Sequence, residues 1–174
     1  MRMRHVIVME HQEDWKEKFS VEAEKIKQIF GDCIIDIHHI GSTSVEGLKA
    51  KPIIDIMPVV KNINEIDAFN KQMKALGYEC CGEFGIPGRR YFRKGGDQRT
   101  HHVHMFQVDN HLDINRHLAV RDFLRENEQM RERYGELKAS LATQYPTDVE
   151  AYMDGKDECV KKLEREALLH VYRS

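Results

Sequence analysis

Residues 39–55, HIGSTSVEGLKAKPIID, join two β-rich runs, 34–40 and 53–60, through a turn that offers Gly41, three hydroxyls and Lys51 and leads to Asp55, the one carboxylate of the second run. Gly41 lets the backbone turn sharply and come close to a ligand. Ser42, Thr43 and Ser44 offer donors to anionic oxygens beside the start of a short helix. Asp55 stands inside an apolar strand, where an ionised group is costly unless something pairs with it. The inventory suits phosphate and a divalent ion, and Lys51 adds a cation. The blander reading of the same residues is a helix cap at Thr43 or Ser44 and a turn bonded to Asp55.

Working outward, residues 4–9 read as a short strand or arm. Trp15, Phe19, Ala23, Ile26, Ile29 and Phe30 then mark a helical stripe over 14–30, ended by Gly31. The run 34–40 alternates, with Ile35, Ile37 and His39 on one face. The turn leads to a helical piece reaching about Lys49, with Thr43 and Glu46 at capping-box spacing. Pro58 sets the second half of strand 53–60 at a sheet edge or bend. Asn64 is the expected N-cap of a helix over 65–76 closed by Gly77. Strands at 78–81, 90–94 and 99–108, with glycine-rich turns between them, read as a meander. Three helices follow, at about 112–126, 128–144 and from Pro146–Thr147 onward, the last with Thr147 and Glu150 as a capping box. The fold class is α+β: one domain over 1–174, with a sheet-containing core (1–110) and a dependent helical tail (111–174) packed on the sheet.

With 174 residues the chain can bury about 70% of its unfolded surface in one core. A formal charge of −2 gives no general attraction to nucleic acid or anionic membrane, so phosphate recognition must be local. Four cysteines, two of them adjacent and none in a C-x-x-C pair, read as reduced thiols. With no apolar run long enough for a signal or a membrane span, the expectation is a cytoplasmic protein.

Three further groups carry chemistry. The segment 84–104, FGIPGRRYFRKGGDQRTHHVH, is locally basic and suits an anion. Arg89 and Arg90 alternate across a strand, so one of the two faces the site as a catalytic cation. His102 and His104 share a strand face and can join Asp55 in a two-His-one-carboxylate set, with His39 the next candidate. Arg116, His117 and Arg121, in NRHLAVRD (115–122), can reach over the site from the tail, although a charged helix face is ordinarily just solvated.

HIGSTSVEGLKAKPIIDI, GEFGIPGRRYFRKG, RTHHVHMF and RHLAVRDFLREN, in this order, resemble blocks of the GrpB family, a group regarded as nucleotidyltransferase-like. The resemblance covers nearly the whole chain and implies a small mixed sheet with flanking helices. It also implies relatives that occur alone or fused to dephospho-coenzyme A kinase. In that superfamily a Gly-Ser turn binds a triphosphate and a D-x-D pair holds two metal ions. Gly41 and Ser42 match the turn and Asp55 the first carboxylate, while Met57 stands where the second belongs. Glu46 replaces a proline expected in relatives. The activity implied is metal-dependent (Mg²⁺ or Mn²⁺) transfer of a nucleotidyl group from an NTP to a small acceptor. In this reading Gly41, Ser42, Thr43, Ser44 and Lys51 hold phosphates, and Asp55, His102 and His104 hold the ion. The competing expectations are a non-catalytic nucleotide- or phosphometabolite-binding module, favoured by Met57, and a His/Asp metallohydrolase.

Overall fold

The computed structural model describes residues 4–173. The first helix, α1 (Asp14–Phe30), is acidic in its first turn and ends where Gly31, at φ 53°, returns its N–H to the Lys27 carbonyl. Its buried stripe includes Trp15, Ala23, Ile26 and Phe30. A 3₁₀ turn leads into β1 (Ile34–Ile40), and the Ser42–Ser44 turn connects this to β2 (Ile54–Val60). A 3₁₀ segment, Ile63–Phe69, runs into the short α2 (Asn70–Ala75). Then come β3 (Tyr78–Cys80), β4 (Arg89–Lys94) and β5 (His101–Gln107), followed by α3 (His111–Glu126), α4 (Glu128–Gln144) and α5 (Val149–Arg173).

The five strands form one sheet in the order β1-β2-β5-β4-β3. All neighbours are antiparallel except β2 and β5, which run parallel. Alternation assigns each strand residue to one of two faces. Ile54, Ile56, Phe92, Val103 and Met105 pack with α1 and the segment 63–75. Met57, Val59 and Phe106 pack with Ile114 and Leu118 of α3 on the opposite face. The tail therefore meets the sheet through α3, and α4 and α5 build outward from it. Val45 and Leu48, just after the Ser42–Ser44 turn, insert among Leu124, Tyr134 and Leu163 of the three helices. The turn is thus held between sheet and tail.

Several local expectations are corrected. Thr43 and Glu46 form no capping box: the Thr43 hydroxyl donates to the Ile53 carbonyl at 3.1 Å, because the predicted helix is only a single 3₁₀ turn that leaves extended at Val45. Pro58 lies on an interior strand. It is tolerated there because the β2–β5 register is kept on either side of it, at Ile56–Val103 and Val59–Phe106. Asn62 replaces Asn64 as the cap, accepting the Asn64 N–H at 3.0 Å. Asp148, one residue after Thr147, accepts the Ala151 N–H at 3.0 Å. Residues 4–9 form an arm whose one bridge, Met9 to Ala50, is isolated. Among the described residues all four cysteines are free, and no helix is long and apolar enough to cross a membrane.

Ile56 is fully buried at the centre of the core, whereas Ile35 on the edge strand is 50% exposed. Ile56→Ala is expected to cost about 2–5 kcal/mol and Ile35→Ala less than about 0.5 kcal/mol, read from denaturant midpoints.

Candidate functional site

The register that pairs Asp55 with His102, and Tyr91 with His104, gathers these side chains on the α3 face of the sheet. Asp55 Oδ1 lies 3.1 Å from His104 Nε2 and 3.4 Å from His102 Nδ1. Burial alone would raise the Asp55 carboxyl, but the hydrogen bonds from His102 and His104 outweigh it and hold the group well below the usual carboxylate range. His104 is itself pushed down by burial, against the pull of Asp55. One nitrogen or oxygen atom from each of the three residues falls within 4.8 Å of the others, so the three side chains are close enough together to reach a single divalent ion.

Gly41 closes this cluster from the turn side. Its φ is 72°, and a Cβ built there would lie 2.6 Å from Asp55 Oδ2. No side chain fits, and the turn backbone rests directly against the carboxylate. At the next residue of the turn the Ser42 hydroxyl accepts from Lys138 Nζ at 2.7 Å. Lys138 comes from α4, is only 2% exposed and lies over the Tyr134 ring. Lys51 and Lys156 lie over the ring of Tyr152 at 4.9 and 5.4 Å, and the Tyr152 hydroxyl is buried without a partner among the described residues. No carboxylate pairs with Lys51, Lys138 or Lys156 among the described residues; the lysine ion pairs there belong to Lys18, Lys49, Lys94 and Lys161. Burial, then the neighbouring ammonium groups, push Lys138 well down and Lys51 to about 8. Burial lowers Lys156 as well. Lys51, Lys138 and Lys156 thus stand close enough together for Lys51 and Lys156 to depress Lys138 and for Lys156 to depress Lys51.

The other sequence candidates are distributed by the same alternation. Arg89 faces the cluster, with Nη1 at 3.4 Å from His104 Nδ1. Arg90 points to the opposite face and pairs with Asp67 at 2.9 Å, so it is not brought to the site. His39 is likewise on the α1 face: it stacks on Phe19 at 4.7 Å and bonds Thr43 at 3.0 Å, because its register partner is Ile56 and not Asp55. Burial lowers it to about 4. Thr43 is thereby spent between His39 and Ile53, and the Ser44 hydroxyl on the Gly41 carbonyl. Arg116 is held by Asp113 and Glu164, away from the cluster. Arg121 donates to Asp122 and the His39 carbonyl, and Arg125 to the Ser44 carbonyl, so these two side chains tie α3 to the turn. His117 does approach, its ring 5.7 Å from that of His104, with a buried Nε2 that has no partner among the described residues.

Lys138, Lys156 and Arg99 were not singled out by sequence reasoning. Lys138 had left a signal, since it lies in line with the α4 stripe of Tyr134 and Leu141, where a lysine interrupts an apolar face. Arg99 Nη1 lies 3.3 Å from His102 Nε2. Together with Lys51, Arg4 and Lys18 it lines an open basic cleft of about 1190 Å³. A second cleft, of about 800 Å³, follows the β1 edge beside His39 and Arg121 and does not include the cluster.

The GrpB protein family model matches residues 5–166, and the chain belongs to that family. It is 48% identical over 164 residues to UPF0157 protein YqkA of Bacillus subtilis, covering 94% of this chain but only about half (48%) of that relative's length. The crystal structure of conserved protein GrpB from Enterococcus faecalis superposes with a TM-score of 0.93 at 48% identity, covering 95% of this chain and 99% of that one. A structure of the Cid1 poly(U) polymerase with MgGTP bound matches at TM-score 0.52 and 14% identity, over 77% of this chain and 43% of Cid1. The fold is thus shared with part of the Cid1 polymerase.

Gly41→Ala is expected to cost at least about 1 kcal/mol by denaturant midpoint, since the substitution is incompatible both with the positive φ and with the contact to Asp55. The lysines set a pH dependence. The folded protein holds the Lys51 proton more weakly than the unfolded chain, whose value is the ordinary 10.5, and Lys138 and Lys156 act in the same direction. At these lysines the unfolded state therefore binds more protons above about pH 8, so their contribution to stability rises with pH from there towards pH 10, partly offset by the Cys80 and Cys81 thiols, which burial raises. Denaturant midpoints at pH 7.5 and 9.5 check this, and Lys138→Met should show a smaller rise.

Proposed function

We propose that this GrpB-family protein binds the phosphates of a nucleoside triphosphate against the Ser42 turn and transfers the nucleotidyl group to a small acceptor with the help of a divalent ion. The observation that carries the reading is the buried Lys138 on Ser42, flanked by Lys51 and Lys156 without carboxylate partners. A buried ammonium ion is strongly destabilising unless it is paired. A chain of phosphate oxygens supplies that pairing to all three lysines at once, and the unpartnered Tyr152 hydroxyl can donate to the same chain. Gly41 allows the close approach. The Asp55 cluster lies just across Gly41, where it can hold an Mg²⁺ or Mn²⁺ ion that would supply Lewis-acid neutralisation of phosphate charge. Arg99, at the lip of the basic cleft, is positioned to accompany an incoming anion. The fold likeness to Cid1, whose structure holds MgGTP, is consistent with this use of the site.

A second reading, a binding module without turnover, is favoured by one residue. Met57 is fully buried against Ile40, Val59, Phe106 and Ile114, so the position of the second carboxylate is part of the core.

Thermal-shift titration with NTPs, with and without Mg²⁺, tests the proposal. A ligand at 100 times its Kd stabilises by about 2.7 kcal/mol. Lys138→Met is expected to be at least as stable as the wild type in the absence of ligand and to lose the NTP response. Asp55→Asn is expected to lose only its metal-dependent part. Equal NTP stabilisation of wild type and Lys138→Met would refute the phosphate site. Binding without turnover in the presence of metal and candidate acceptors would select the second reading.

A further inference from the structure

The two imidazoles of the Asp55 cluster are backed by groups that can only donate. A guanidinium has no lone pair to offer, so the imidazole nitrogen facing it must be the unprotonated one. A doubly protonated ring would set N–H against N–H. Arg99 Nη1 faces His102 Nε2 at 3.3 Å, and Arg89 Nη1 faces His104 Nδ1 at 3.4 Å. The ring protons therefore sit on His102 Nδ1 and His104 Nε2, both directed at Asp55 Oδ1. A metal is bound through the unprotonated nitrogen, and a ligating histidine ordinarily gives its other N–H to an acceptor. Here both lone pairs point at arginines.

The two arginines are not held alike. Arg89 is buried, 7% exposed, and its Nε and Nη2 donate to the carbonyls of Glu83 and Phe84 at 3.2 and 2.8 Å, while its plane lies over Tyr91. Arg99 is half-buried, and among the described residues its one other hydrogen-bonded anchor is the Gly96 carbonyl at 3.1 Å. It also lines the open cleft that carries Lys51, Arg4 and Lys18. An anion entering that cleft competes for Arg99 and leaves Arg89 in place.

We infer that His102, and not His104, is the imidazole that serves a divalent ion at Asp55, and that an anionic ligand must first draw Arg99 away from it. Once freed, His102 shifts its one proton from Nδ1 to Nε2 by exchange with solvent, with no net change of charge, and turns its lone pair towards Asp55. His104 remains an N–H donor that positions the carboxylate. The inference rests on the reading of the Asp55 cluster as a metal site. By linkage, anion and ion then raise each other's affinity by the same factor.

The first test needs no ligand. Long-range ¹H–¹⁵N ring spectra of the metal-free protein should show His102 as the Nδ1–H tautomer and His104 as the Nε2–H tautomer; His102 carrying its proton on Nε2 overturns the inference. The second measures Mn²⁺ affinity by electron paramagnetic resonance, with sulfate as a weakly chelating stand-in for phosphate. Sulfate should tighten Mn²⁺ binding to the wild type by about tenfold or more, the scale of one charge-assisted hydrogen bond. Arg99→Met should bind Mn²⁺ about that much more tightly without sulfate. His102→Gln should lose about tenfold or more. His104→Gln, whose amide can both donate to Asp55 and accept from Arg89, should stay within about twofold. Equal losses in the two histidine variants, or unchanged affinity in Arg99→Met, overturn the inference and leave the metal site standing. Wild-type Mn²⁺ affinity in Asp55→Asn overturns the metal site itself.

Discussion

An ionised carboxylate can live inside a β-sheet only if donors surround it, and the arrangement around Asp55 follows from that constraint. Two imidazoles on the neighbouring strand supply the donors, two arginines orient the imidazoles, and a glycine leaves room for the second oxygen. The sheet order contributes directly. Placing β5 beside β2 in parallel brings His102 level with Asp55, while the antiparallel β4 brings Arg89 and Tyr91 to the same face. The sheet thus positions the site as well as filling the core.

The helical tail contributes the other half of the charge pattern. Lys138 from α4 and Lys156 from α5 meet Lys51 beside the Ser42 turn, and Val45 and Leu48 fix that turn among the helices. Lys138 is buried and Lys51 and Lys156 are half-buried, none with a carboxylate ion pair among the described residues, and an unpaired buried ammonium opposes folding. Asp55 meets this turn at Gly41 and Lys138 meets it at Ser42, and the Asp55 carboxylate is near enough to favour the charged form of all three lysines.

Membership of the GrpB family and the 0.93 superposition on the Enterococcus faecalis protein define the fold. The likeness to Cid1 is one of fold and carries over no substrate. Met57 stands where the family resemblance leads one to expect a second carboxylate. Its side chain fills the core under α3, so a second acid there would have to be accommodated by repacking Ile114 and Phe106.

The amino-acid sequence by itself determined much of the architecture. Apolar periodicity marked α1 and α4 with the bounds the structure shows, and alternation marked β1. The Gly-Ser turn and the out-of-place Asp55 marked the candidate site, because a local pattern reports which residues share a face or a turn. Tertiary structure decided what local patterns cannot carry: strand register and the approach of distant helices. Register sent Arg89 to the cluster and Arg90 to Asp67, and it put His39 on the face away from Asp55. Packing of α4 and α5 brought Lys138 and Lys156 to a turn about a hundred residues earlier in the chain, and strand pairing set Arg99 behind His102. Such contacts are fixed only when the core closes, since the hydrophobic burial that selects them is non-directional and is summed over the whole molecule.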